Sequence, residues 1–396
     1  MKTSADRILT THVGSLPRLP ALLAQVMAHE VGESVDEAAF AGQLRGAVRE
    51  VVGKQIAAGI DSVCDGEQSK ISYTFYVRHR LSGINSTGGV EHSAPPQTAA
   101  HRDILDHPDF MERLRAQRGG TSWFAAAAVP YCTGPVQYEN RAPLEADIAN
   151  LQAAIAAEKP VEAFMNAASP GVLTKFVPDR YYNDEDAYVA ALADALKEEY
   201  EAIHKAGFIL QIDAPDLGSA RHNQYQHLSD AEFLKIAERN IAAVNHATQN
   251  IPREAMRLHI CWGNYEGPHT HDIPLATVFD VAIKARPQAI LFEAANPRHA
   301  HEWEELATKK IPDDLILMPG CIDSTTNFVE HPKLVAQRIE NYARLVGRER
   351  VVAGTDCGFA TFAAQQNMVV PSIAWAKLAA LAEGARIASD RLWGKG

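Results

Sequence analysis

The chain lacks what a membrane-spanning, secreted or nucleic-acid-binding protein would need. No apolar run approaches the roughly 20 residues that cross a bilayer, and the N-terminal Met1-Lys2-Thr3-Ser4-Ala5-Asp6-Arg7 has no apolar core of a signal peptide. A cytoplasmic setting is therefore expected. Cysteine is scarce. The five present in 396 residues, Cys64, Cys132, Cys261, Cys321 and Cys357, are odd in number and widely spaced, a poor disulfide framework that leaves reduced thiols or metal ligands. Positive charge is in deficit: 38 Lys and Arg face 49 Asp and Glu, for a formal net charge of -11, and the basic residues are dispersed. Nucleic acid is thus not an expected partner, and small molecules are. Internal repeats and low-complexity tracts are missing too.

What is present is a globular composition, 46% apolar and 22% charged, in which short β-type runs alternate with amphipathic helical stretches. The strands are expected near Ile8–Val13, Asp61–Cys64, Val161–Met165, Phe208–Ile212, Arg257–Cys261, Ala289–Phe292, Leu315–Met318 and Val351–Gly354. Helical stretches fall between them: Glu37–Ala58 closes at Gly59, Asp184–Lys205 at Gly207, and Ser229 with Glu232 opens Ser229–Thr248 as a capping pair. Eight strands alternating with helices predict an α/β TIM barrel filling 1–396 as a single domain. Residues 81–152 do not fit one βα unit and read as an insertion after strand 2. Within them Phe124–Val129 is a ninth β-like run, so either it or Val161–Met165 lies outside the barrel.

In a TIM barrel the chemistry gathers where strands end. His259-Ile260-Cys261 ends one run, Glu293 the next, and Gly354-Thr355-Asp356-Cys357 the last. Residues two apart on a strand face the same side, so His259 and Cys261 can share one ion. With Glu293 and Cys357 they make a nitrogen, two-sulfur, carboxylate set of the kind that holds zinc. So thiolate-rich a set favours thiol alkylation over water activation. Glu67 and Asp213, two carboxylates at the rim, pair either with a substrate ammonium or with an Arg or Lys of the protein. Ser15 either hydrogen-bonds a substrate or caps the turn after Gly14, and His12 is a rim histidine that binds substrate or the backbone.

The motifs Thr11-His12-Val13-Gly14-Ser15-Leu16-Pro17-Arg18, Asp65-Gly66-Glu67, Gln211-Ile212-Asp213-Ala214-Pro215, His259-x-Cys261, Glu293 and Asp356-Cys357-Gly358 together resemble the cobalamin-independent methionine synthase family. The likeness extends to its catalytic barrel and to single-barrel relatives that include epoxyalkane:coenzyme M transferases. The resemblance implies a TIM barrel, zinc on His259, Cys261, Glu293 and Cys357, and the amino acid part of homocysteine on Ser15, Glu67 and Asp213.

Two departures from that pattern bear on the alkyl donor. Asp323 stands where the family places its histidine general acid, so Asp323 is the catalytic candidate, as an acid or as a residue orienting another donor. Ala168-Ser169-Pro170 replaces the family's Thr-Gly-Pro, and Phe176 is the nearest match to its pterin-stacking tryptophan. The expected function is methionine-synthase-like, zinc-dependent methyl transfer from a 5-methyltetrahydrofolate-type donor to homocysteine. Epoxide opening by a thiol is the first alternative. A zinc hydrolase or a non-catalytic zinc-binding barrel represents another class.

Overall fold

In the computed structural model, which describes residues 1–30, 32–85, 102–117, 130–363 and 368–394, ten strands follow the chain. They are β1 (Leu9–Thr10), β2 (Ser62–Val63), β3 (Ile84–Asn85), β4 (Tyr131–Cys132), β5 (Glu162–Ala168), β6 (Ile209–Asp213), β7 (Met256–His259), β8 (Ala289–Phe292), β9 (Ile316–Ile322) and β10 (Val352–Thr355). Eight of them form one parallel sheet in the order β1-β10-β9-β8-β7-β6-β5-β2, and β3 pairs antiparallel with β4 in a separate sheet. The sheet nearly closes on itself with helices outside it, the α/β TIM barrel expected from the alternating pattern.

The remaining seam, between β1 and β2, is bridged by Asp61. Its backbone N–H donates to Thr10 O at 3.2 Å, and its carboxylate accepts from Thr10 N at 2.9 Å. Arg7 grips the same carboxylate with both terminal nitrogens, at 2.7 and 2.6 Å. A bidentate charge-assisted pair thus substitutes for ladder hydrogen bonds where the strands are too short to supply them.

All eight expected barrel strands are present. β5 carries the Val161–Met165 expectation into the barrel, extended to Ala168 by pairing with β6 through Ala168↔Asp213, whereas the competing run Phe124–Val129 lies outside the described residues. β9 runs past its expected end because Gly320 lets β10 approach; a Cβ there would lie 2.0 Å from Asp356 Oδ1. The barrel interior is filled by Leu9, Val13, Leu291, Ile316, Met318 and Val352 in one cluster and by Cys64, Phe164 and Ile209 in another. This core supports the mouth from below.

The helices Glu37–Ala57, Glu185–Lys205 and Asp230–Ala247 begin and end close to expectation, the last with the Ser229–Glu232 capping box formed. The helix Ala142–Glu158, which the sequence pattern grouped with the 81–152 insertion, instead packs on Glu37–Ala57 as part of the outer ring. Ahead of it, the short helix Arg102–Asp106 docks on the loop after β7, where Asp103 accepts from Thr270 N at 3.0 Å and from Tyr265 Oη at 3.0 Å. Among the described residues no helix is long and apolar enough to cross a membrane.

Candidate metal and thiol site

His259 closes β7, Cys261 follows two residues later, and Cys357 follows the end of β10. Their ligand atoms lie within 4.8 Å of one another, all three residues being buried. The two sulfurs are 3.7 Å apart. Tetrahedral zinc with Zn–S bonds of about 2.3 Å sets its sulfurs roughly 3.8 Å apart, so the pair is already spaced for one ion. A disulfide would need about 2.05 Å, and both cysteines are free.

The third donor is oriented with equal definition. His259 Nδ1 lies 3.1 Å from Asp213 Oδ1, which leaves Nε2 as the nitrogen available to a metal, and that buried atom has no hydrogen-bond partner among the described residues. A carboxylate behind a ligating imidazole fixes its tautomer and raises its basicity. Asp213 is itself held, by Gln211 Nε2 at 2.7 Å and by Asn166 Nδ2 at 3.0 Å. Gln211 Oε1 accepts from Arg257 Nε at 2.8 Å, whose guanidinium sits 3.5 Å from the Phe164 ring centroid inside the barrel.

Glu293, the expected fourth ligand, is buried after β8, with Oε1 accepting from Trp262 N at 2.7 Å and Oε2 from Asn296 Nδ2 at 2.8 Å. It stands outside the His259, Cys261, Cys357 cluster, close enough for its charge to act on Cys261. The facing Cys357 thiol, burial and Glu293 together push the Cys261 thiol well above the usual thiol range. A cation between the sulfurs would relieve that strain, because it stabilises thiolate. The donor set, its spacing and the unpartnered nitrogen therefore fit zinc.

Beside this cluster the loop after β2 presents Glu67. Gly66 and Glu67 both adopt left-handed backbone, with φ of 65° and 55°, a conformation costing a non-glycine residue about 1–2 kcal/mol. Glu67 Oε2 is buried with no hydrogen-bond partner among the described residues. Burial, opposed by Lys70 and reinforced by Asp213, pushes its carboxyl up to about 8. Neither Glu67 nor Asp213 makes an ion pair with Lys or Arg among the described residues; the one such contact of Asp213 is to His259. Arg18 clamps the loop through the carbonyls of Glu67, Lys70 (2.8 Å) and Ala360 (3.1 Å).

Ser15 joins the β1 loop to the loop carrying Cys357. Its carbonyl accepts from Phe359 N at 2.8 Å, and its hydroxyl from Ala360 N at 3.4 Å. His12 is anchored to the framework through one ring nitrogen. Its Nε2 meets Gln55 Oε1 at 2.7 Å, its ring packs edge-on against Phe164, and burial lowers its pKa to about 4, leaving a neutral ring.

Phe176 ends the helix Pro170–Phe176, which Ser169 caps through Val172 N at 3.0 Å. Its ring meets Tyr73 (5.7 Å between centroids) and Phe362 (6.3 Å), forming an aromatic wall. Burial first, and then the proximity of Cys261 and Cys357, raise the Tyr73 hydroxyl well above its usual range, which sets the wall near the thiols. Lys175 lies over Phe176, 5.2 Å from the centroid; burial lowers its pKa to about 8, countered by Cys261. Asp323 accepts from Thr325 N (2.9 Å), Thr325 Oγ1 (2.8 Å), Thr326 N (2.8 Å) and Thr326 Oγ1. Asp323 thus orders the turn after β9.

Sequence reasoning missed Tyr73, Asn166, Lys175 and Trp262. Each is an isolated residue brought in by tertiary structure, with no spacing signal of its own.

The family described as "Cobalamin-independent synthase, Catalytic domain" matches residues 120–381. The methionine synthase of Thermococcus kodakarensis is 24% identical over 97% of this chain and 94% of its own. The 2-hydroxypropyl-CoM lyase of Xanthobacter autotrophicus is 24% identical over 56% of this chain and 60% of its own. Among solved structures, a B12-independent methionine synthase from Shewanella sp. W3-18-1, in complex with selenomethionine, superposes with a TM-score of 0.71 at 21% identity. That alignment covers 98% of this chain and 99% of the other, a likeness of fold.

Proposed function

Because the chain belongs to the family of cobalamin-independent synthase catalytic domains, we propose that it transfers an alkyl group to the sulfur of a small thiol at a zinc ion. His259, Cys261 and Cys357, with Glu293, hold that ion. The observation that carries this reading is the convergence of two free sulfurs 3.7 Å apart with the unpartnered Nε2 of His259. When bound, zinc supplies nucleophile generation, keeping at neutral pH as thiolate an acceptor whose free pKa is about 8.5.

The rest falls to the chain's own side chains. Asp213 fixes the ring of His259 and, with Glu67, offers negative charge to a substrate ammonium. The bare oxygen and strained backbone of Glu67 suit a residue that awaits a cation. Ser15 holds the loop that carries Cys357. An acceptor with an amino acid end, homocysteine, satisfies these groups.

On the donor side, Tyr73, Phe176 and Phe362 give a flat apolar face for a ring or alkyl group. In the reaction a sulfur lone pair forms the S–C bond, the bond from that carbon to nitrogen or oxygen breaks, and the departing atom takes the electron pair and then a proton. Lys175, which has no carboxylate in ion-pair reach among the described residues, is available to meet that charge. A 5-methyltetrahydrofolate-type donor makes the chain methionine-synthase-like. A second reading, the opening of an epoxide by a thiol, is supported by the likeness to the 2-hydroxypropyl-CoM lyase.

The test is turnover of the zinc-loaded chain with homocysteine and 5-methyltetrahydrofolate, and separately with coenzyme M and epoxypropane. Product that requires both thiol and zinc supports the proposal. Ester or amide hydrolysis needing no thiol, without either thioether product, would replace it.

A further inference from the structure

A second buried constellation lies behind the first, made by the loops after β6, β7 and β8. His269, Asp272 and His299 offer ligand atoms within 4.8 Å of one another, all buried. His269 Nδ1 is 2.7 Å and His299 Nε2 2.9 Å from the same oxygen, Asp272 Oδ2. His222 approaches the other oxygen, with Nδ1 3.0 Å from Oδ1.

The far nitrogens decide what this means. His269 Nε2 lies 3.0 Å from the carbonyl of Tyr265, which can only accept, so that nitrogen carries a hydrogen. His299 Nδ1 lies 2.9 Å from Glu302 Oε2, whose other oxygen accepts from Leu275 N at 2.8 Å. Each ring therefore spends one N–H on an outer acceptor and turns the other nitrogen inward, the arrangement of metal-ligating histidines.

We propose that His269, Asp272 and His299 bind a second divalent transition-metal ion, with His222 held against the other oxygen of Asp272. A nitrogen-rich site of this kind suits zinc, iron or nickel over calcium or magnesium. With metal–ligand bonds of about 2.0–2.1 Å, donors sit roughly 2.9–3.4 Å apart, so loading spreads the present contacts by a few tenths of an ångström. The site is structural. The site joins the loops after β7 and β8, and through them the thiol site: the Trp262 ring packs 4.6 Å from that of His299 while the Trp262 backbone N–H donates to Glu293.

The inference does not depend on the catalytic reading, and the test keeps the two apart. The metal-free full-length chain is titrated with Co2+ and followed by absorption. Two equivalents should bind, one with a sulfur-to-cobalt charge-transfer band and one without it. Cys357→Ser should abolish the band and keep one equivalent, whereas Asp272→Asn should keep the band and lose one equivalent. Binding of a single equivalent by the unmodified chain overturns the proposal, whatever the folding of the variants. So does retention of two equivalents by a folded Asp272→Asn chain.

Discussion

His259 Nδ1 lies 3.1 Å from Asp213 Oδ1, so the carboxylate that the sequence pattern offered to a substrate ammonium also orients the imidazole proposed to hold the metal. Asp213→Asn places an amide against that nitrogen and weakens the preference for the tautomer that leaves Nε2 free. Zinc affinity should fall by roughly 10–100-fold, the usual cost of losing such a partner. Competition with a chromophoric chelator measures it, and unchanged affinity would remove Asp213 from the account of the metal.

Gly358 adjoins Cys357, and a Cβ built on it would lie 2.0 Å from Ser15 Oγ. Gly358→Ala must push the two loops apart. It should cost about 1–3 kcal/mol of stability and weaken zinc binding by moving Cys357. Thermal melts with and without zinc separate the two effects. A variant that melts and binds like the parent would show that the loops are not tightly joined.

Glu67 gives a pH dependence whose sign is fixed. Burial raises its pKa from 4.5 to about 8, so between those values the folded chain holds a proton that the unfolded chain releases. Its contribution to stability therefore falls as pH rises through that window. A substrate ammonium favours the ionised carboxylate, so binding below pH 8 should release a proton and tighten as pH rises toward 8. Calorimetry of homocysteine binding in buffers of different ionisation enthalpy checks this. Glu67→Gln should abolish the proton release and raise the KM for the thiol at least tenfold.

Lys175 and Asp323 make opposite predictions. Lys175→Met should lower kcat by tenfold or more, with Lys175→Arg recovering most of it. Asp323→Asn should change kcat by only a few-fold while lowering the melting temperature, since its four donors lose a charged acceptor. Steady-state kinetics and melts on the three variants decide it; a kcat collapse in Asp323→Asn alone would return Asp323 to the role of acid.

The fold was legible because parallel barrel strands announce themselves as apolar runs separated by long capped helices, and Ser229–Glu232 is capped as its spacing implies. Strand ends were less so: Gly320 and Pro319 look like breakers, yet β9 passes through both because β10 needs the space. At the site, strand ends led to His259, Cys261 and Cys357 from residue types alone. The rim position of His12 says nothing of Gln55, which engages it from a helix 43 residues away. His269, Asp272 and His299 went unnoticed because their meeting depends on how loops fold back, which no strand or helix period encodes.

The most direct test is X-ray absorption at the zinc edge of the loaded chain, with and without homocysteine. The account predicts two sulfur neighbours from Cys261 and Cys357 alone and three once the thiol is added, after allowance for any ion bound at His269, Asp272 and His299. A shell that holds no cysteine sulfur, or one unaltered by saturating thiol, would contradict it.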